Sequence, residues 1–307
     1  MKFPECFPVP LPNETLYSIL CRYHVRSCNA TDNATLLQLF DKRRSLHTTA
    51  LSPFPLRYAK DWTDAFQGFT RDSLIREHTA FPFYQSFHTC MNSARTSYAA
   101  DRFFMAMYNR CATPSKRLRY CPKCAQNQWE SFGVSYWQVM PQIHGYEVCP
   151  IHKELIRETE ITHQDIRYTF YPASDVLKGK IKPCDDLKQL HWVEQNMEEY
   201  LSLAQDITYL YQYSYTGFHL GLKMQKVLQY DLLPVNQNRV RKFLTDPIDE
   251  LNSLENDEYY RALIYDPSEL ISQIYCIPVI LQLRICWAMF GNIEKFCTVK
   301  VKNYPTI

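Results

Sequence analysis

Cys121-Pro122-Lys123-Cys124 is followed after twenty-four residues by Cys149-Pro150-Ile151-His152. A Cys-x2-Cys turn presents two thiolates to one cation, and a Cys-x2-His turn supplies two more corners of a tetrahedron. Three soft sulfurs and one imidazole suit Zn²⁺, with Zn–S near ~2.3 Å and Zn–N near ~2.0 Å. Four protein ligands leave no open coordination position, so the expected ion holds a fold together and does not activate water. Two other readings use the same residues: a redox dithiol at Cys121 and Cys124, or simply buried thiols. A redox pair of this spacing follows a strand and opens the first helix of a βαβ unit. Here a basic segment, Ser115 to Tyr120, precedes it without βαβ alternation. His144 is a rival ligand, but its offset from Cys149 does not form the symmetric turn.

Other chemistry is sparse. The chain has no Walker-type glycine loop, no Gly-x-Ser-x-Gly elbow and no His-Glu-x-x-His pair, so no enzymatic activity is expected. Glu77-His78 offers an acid and a base, but adjacent helical residues point in different directions, which favours a structural role. Nucleic-acid contact would need clustered cations. The candidates are Lys116, Arg117 and Arg119 beside the first knuckle, Arg239, Arg241 and Lys242 further on, and Lys42, Arg43 and Arg44. Short basic runs are also commonly just solvated faces.

The elements that must position these groups read mostly as helices. Asn13 is the expected N-cap of a first amphipathic helix running to about Arg26, with Glu14 in its first turn. A second short helix, capped by Thr31 or Asp32, carries Leu36, Leu37, Leu39 and Phe40. The pair fits a helix-turn-helix and equally a small helical bundle. Residues 55–110 read as further helices broken by Gly68 and Phe81-Pro82, with an apolar helical face between Asp101 and Arg110. Inside the metal module, Trp129 to Val139 is the expected helix and His144 to Val148 a short strand. Leu187 to Leu210 traces one long apolar stripe. Asn238 to Leu244 and Ile248 to Leu254 are shorter helices. Asp266-Pro267-Ser268 opens the final unit, which leads to a buried helix, Pro278 to Phe290, stopped by Gly291.

The fold class expected is therefore mostly α: an N-terminal helix-turn-helix-like region (1–112), a central zinc-ribbon-like module (113–160) and a C-terminal helical domain (161–307). The 307 residues suffice for a proper core, and only 7 Gly argues against long flexible linkers. A formal charge of +2 means that any DNA contact must be local. The 12 cysteines, no apolar leader and no uncharged run of ~18 residues point to a reduced, cytoplasmic, non-membrane protein. The proline-rich segment ahead of Asn13 can pack at home through Phe3, Phe7, Val9 and Leu11, or serve as a docking strip.

Several segments together resemble a known family. Pro12-Asn13-Glu14-Thr15-Leu16-Tyr17-Ser18 opens the chain, and Arg76 to Tyr84 (REHTAFPFY) lies in the middle. Leu118 to Cys124 (LRYCPKC), Gly133 with Tyr136-Trp137, and Cys149-Pro150-Ile151-His152-Lys153 follow in order. Over about residues 8–157 the chain is similar to the TniQ/TnsD target-selection proteins of Tn-seven-type transposons. The resemblance implies an adaptor that links target DNA, directly or through a CRISPR Cascade-type effector complex, to the AAA+ ATPase TnsC. It also implies that the family's zinc ligands carry over to Cys121, Cys124, Cys149 and His152. A homodimer is compatible with the family likeness. The chain is shorter than the long DNA-reading members, which favours a compact coupling role. The alternative is a stand-alone zinc-stabilised DNA-binding regulator.

Overall fold

A computed structural model describes residues 7–40, 68–87, 117–213, 220, 223–224 and 279–298. These segments are mostly helical. In chain order they form α1 (Leu16–Ser27), α2 (Asp32–Phe40), α3 (Arg71–His78) and α4 (Phe81–Gln85), then β1 (Arg117–Tyr120), α5 (Pro122–Phe132) and α6 (Val139–Gln142). Next come β2 (Val148–Cys149), β3 (Glu154–Leu155), β4 (Arg157–Thr162), α7 (Ser174–Leu177), α8 (Leu187–Gln195) and α9 (Met197–Gln212), and finally α10 (Val279–Phe290) and α11 (Ile293–Thr298). The strands form two antiparallel pairs, β1 with β4 and β2 with β3.

The cap of α1 is Thr15, not Asn13. Its hydroxyl accepts from the Ser18 amide at 3.1 Å, while Asn13 takes a left-handed turn at φ 56°. Glu14 therefore precedes the helix and does not lie in its first turn. Its carboxylate is fully buried and takes hydrogen bonds from Arg22 Nη1 at 2.6 Å and the Leu11 amide at 3.0 Å. Thr31 caps α2 through the Ala34 amide. Phe81-Pro82, expected as a break, opens α4, where proline is tolerated in the first turn. From Phe7 onward the proline-rich segment packs at home: Phe7 stacks on Tyr23, and the Val9 carbonyl accepts from Arg22.

Two corrections concern longer helices. The helix of the metal module spans Pro122–Phe132 and so includes Cys124, instead of running from Trp129 to Val139. Pro122 suits the first helical position, and Gly133, left-handed at φ 68°, ends the helix with its amide on the Trp129 carbonyl. The stripe from Leu187 to Leu210 is divided at Asn196 into α8 and α9. Asn196, at φ −115° and ψ 32°, leaves the helical range, and its side chain and its amide both donate to the Trp192 carbonyl, at 2.8 and 3.1 Å, closing α8 there. The C-terminal expectation of a helix stopped by Gly291 matches α10, whose Gly291 has φ 85°. The expected helices at 101–110, 238–244 and 248–254 and the opening at 266–268 lie outside the described residues.

Two apolar cores hold the metal module. One gathers Leu16, Ile19, Leu20 and Tyr23 of α1 with Leu118 of β1, Trp137 and Ile161 of β4. The other packs Cys121, Cys124, Val148 and Cys149 against Tyr200, Leu203 and Ile207 of α9 and residues of α10 and α11. Trp137 fastens α1 to the module. Its carbonyl accepts from Thr15 N at 2.8 Å, its amide donates to Ser18 Oγ at 3.0 Å, and its indole donates to the Tyr171 carbonyl at 2.7 Å.

Candidate metal centre

Each ligand atom of the paired knuckles is placed by a local turn. Cys121 directly follows β1 and stands at the N-cap of α5, so Cys124 falls in the first helical turn. Cys149 ends β2. The turn after it closes with the Lys153 amide on the Cys149 carbonyl at 2.7 Å, and Lys153 takes a left-handed φ of 55°. That turn swings His152 back toward the sulfurs.

The four side chains converge, with their ligand atoms all within 4.8 Å of one another. Cys124 Sγ lies 3.7 Å from Cys149 Sγ. His152 Nδ1 stands 3.6 Å from Cys121 Sγ, 3.3 Å from Cys124 Sγ and 3.6 Å from Cys149 Sγ. A tetrahedron with Zn–S of about 2.3 Å and Zn–N of about 2.0 Å has S···S edges of about 3.8 Å and S···N edges of about 3.5 Å. The residues present therefore fit a metal ion, with a geometry compatible with zinc. All three sulfurs are buried, so a solvent-exposed redox dithiol is not what the site offers.

The electrostatics point the same way. Hydrogen bonds from Cys121 and Cys124 draw the Cys149 thiol well below its usual range, helped by the amides of His152 and Ile151. Contacts with Cys121 and Cys149, followed by burial, push Cys124 upward. Three thiols this close share one negative charge readily and three only with a cation among them. His152 Nε2 lies 3.0 Å from the Asn127 side-chain amide. Coordination through Nδ1 leaves the ring proton on Nε2, where the Asn127 oxygen, with its amide suitably turned, accepts it.

The other candidate residues fare differently. His144 is not among the clustered ligands. Arg119 is 2% exposed, and its Nη2 donates to Glu147 Oε2 at 2.6 Å and to the Tyr146 carbonyl at 2.9 Å. It is thus an interior residue and does not face a phosphate backbone. Arg117 is half-buried and donates to the Glu160 carbonyl at 2.7 Å. Lys116, Arg239, Arg241, Lys242, Lys42, Arg43 and Arg44 lie outside the described residues. Glu77 is exposed while His78 is buried with Nδ1 2.6 Å from the Glu14 carbonyl, so the two do not form an acid/base pair. Sequence reasoning missed Gln142. Its side chain accepts from the Arg119 amide at 3.0 Å and donates to the Arg119 carbonyl at 2.6 Å, completing the backbone of β1. No helix among the described residues is long and apolar enough to cross a membrane.

Residues 5–156 match the TniQ family, a span that contains all four clustered ligands. The chain is also similar to the transposon Tn7 transposition protein TnsD of Escherichia coli. The two are 26% identical over 257 residues, which cover 78% of this chain and 49% of that protein. The chain thus spans about half the length of the curated relative it matches.

Proposed function

Starting from a chain that belongs, through residues 5–156, to the TniQ family, we propose that this protein selects target sites for transposition. In this reading it is a non-catalytic adaptor. One surface meets target DNA, directly or through a CRISPR effector complex, and another engages the AAA+ ATPase TnsC. The observation that carries the reading is the family match over the whole span from α1 through the metal knuckles, with the likeness to TnsD beside it.

The resident ion in this proposal is one Zn²⁺ held by Cys121, Cys124, Cys149 and His152. When bound it supplies a closed tetrahedral cross-link and no open coordination position. The chain's own residues do the rest. Trp137, Thr15 and Ser18 lock α1 against the module, and α9 packs behind the sulfurs, so any two docking surfaces on this body keep a fixed relation. Arg117 and Lys116 stay candidates for DNA contact, as do Arg239, Arg241 and Lys242. The domain division at 112/113 and 160/161 is likewise a proposal.

The test is reconstitution. The zinc-loaded chain should retain the ATPase in a pull-down and recruit it to target DNA or to a guide-loaded effector complex. A chain that shifts a defined duplex alone, with a steep salt slope and no ATPase retention, would instead be the stand-alone regulator.

A further inference from the structure

The four clustered side chains are not equally secured. Cys121, Cys124 and Cys149 are 1%, 9% and 2% exposed and share one apolar core with residues of α9. His152 is only half-buried, and it follows Ile151, which is 77% exposed. The Lys153 amide on the Cys149 carbonyl fixes the backbone of its turn, but a backbone bond does not choose the side-chain torsions. An imidazole also offers two nitrogens, and which one meets a metal is set by the hydrogen bond that the other makes. Here Nδ1 faces the three sulfurs, at 3.3 to 3.6 Å, and Nε2 faces the Asn127 side-chain amide at 3.0 Å. Asn127 comes three residues after Cys124 on α5, so a thiol ligand and the group behind the imidazole share one helix face. Among the described residues the Asn127 side chain has one hydrogen-bond partner, His152, whereas neighbouring Gln126 donates to Glu130 at 2.7 Å.

We propose that Asn127 is a positioning residue for the metal: its side-chain oxygen holds the Nε2 proton of His152, keeps Nδ1 turned toward the sulfurs, and so closes the corner at which the site opens. This rests on the zinc reading above and extends it to a residue outside the ligand set. Helix energetics alone do not favour asparagine there. Position 127 is exposed inside α5, where alanine is the better helix former. If Asn127 served the helix only, Asn127→Ala would firm α5 and leave metal retention as it is. The positioning role gives the opposite sign, because removing the outer partner of a metal-bound imidazole costs roughly 10–100-fold in metal affinity.

The experiment loads four full-length chains with one equivalent of Zn²⁺ and follows its transfer to an excess of chromophoric chelator: the wild type, N127A, N127D, and Q126A as an exposed polar control on the same helix. Both positions face solvent, so circular dichroism of the loaded proteins should coincide. N127A should release the metal about tenfold faster or more, and Q126A at the wild-type rate. N127D keeps an oxygen acceptor and has no N–H to offer Nε2, so it should hold the metal at least as well as the wild type. Release from N127A at the wild-type rate overturns the role of Asn127 and leaves the zinc reading standing. N127D releasing as fast as N127A also overturns it, since the oxygen is then not the group that matters. A wild type that takes up no stoichiometric Zn²⁺ overturns both this inference and the zinc reading.

Discussion

Arg119 Nη2 and Glu147 Oε2 meet 2.6 Å apart in the interior, their side chains 2% and 7% exposed. The pair ties β1, which delivers Cys121, to the segment that enters β2 and delivers Cys149. It thus brings the two metal knuckles together from behind, independently of any ion. The Tyr146 carbonyl accepts from the same guanidinium at 2.9 Å, which places its cost of burial against two charge-assisted or polar contacts.

Breaking that pair from one side should be severe. Arg119→Met leaves the Glu147 charge buried and uncompensated, at a cost of about 3–5 kcal/mol. Glu147→Gln leaves Arg119 with Glu158 Oε1 4.0 Å from its Nε and should cost less. The double substitution removes both charges and should cost clearly less than the sum. Urea unfolding of the four proteins measures this cycle; single losses below 1 kcal/mol would show the pair to be solvated.

Metal removal should act on structure. The purified chain should carry one equivalent of zinc by elemental analysis, and Co²⁺ exchanged into the site should show the absorption of a tetrahedral thiolate complex. Cys121→Ser and His152→Ala should lower metal content and cause misfolding or aggregation, since binding energy in such knuckles is folding energy. The ligands must be deprotonated to bind, so affinity should fall as pH falls. A chain that folds and melts identically with and without chelator would refute the structural role.

The convergence of the three cysteines and His152 was legible in the sequence because each half is a local turn: two residues between the paired side chains fix two atoms without help from elsewhere. Arg119 was not legible. Its neighbours in the chain, Arg117 and Lys116, suggest a basic surface, while the partner that decides its fate lies twenty-eight residues away in the chain. Glu14 misled for the same reason, because Arg22 comes to it only once α1 has formed. The break at Asn196 was hidden because Val193, Tyr200, Ala204 and Ile207 all remain buried on one side across it. The apolar stripe reports the face a segment buries, and one residue that leaves the helical range leaves that stripe intact.

Gly133 tests the end of α5. Its φ of 68° is left-handed, and a Cβ built there meets nothing within 4 Å. Strain is therefore the whole cost of Gly133→Ala, about 1–2 kcal/mol. Gly133→Asn should cost less, because asparagine tolerates this conformation. Thermal melts of the zinc-loaded variants check the order, and Ala equal to or better than Asn would contradict it.

Asp206 should give the fold a pH dependence separable from that of the metal. Its carboxylate accepts from the Ile293 amide at 3.2 Å and so caps α11 from a neighbouring helix. Burial pushes its pKa up from 3.8 to about 7, against the smaller pull of that amide. Between those two values the folded chain holds a proton that the unfolded chain has lost. Stability from this group therefore falls as pH rises through that window and levels off above it. Asp206→Asn keeps an oxygen for the Ile293 amide but has nothing to titrate. The stability difference between variant and wild type should then move in the variant's favour from pH 5 to pH 8, with zinc saturating for both. Because protonation of the knuckle ligands acts equally on the two proteins, it cancels in the difference. A difference that stays flat across the window would mean that water reaches the carboxylate and holds it ionised throughout.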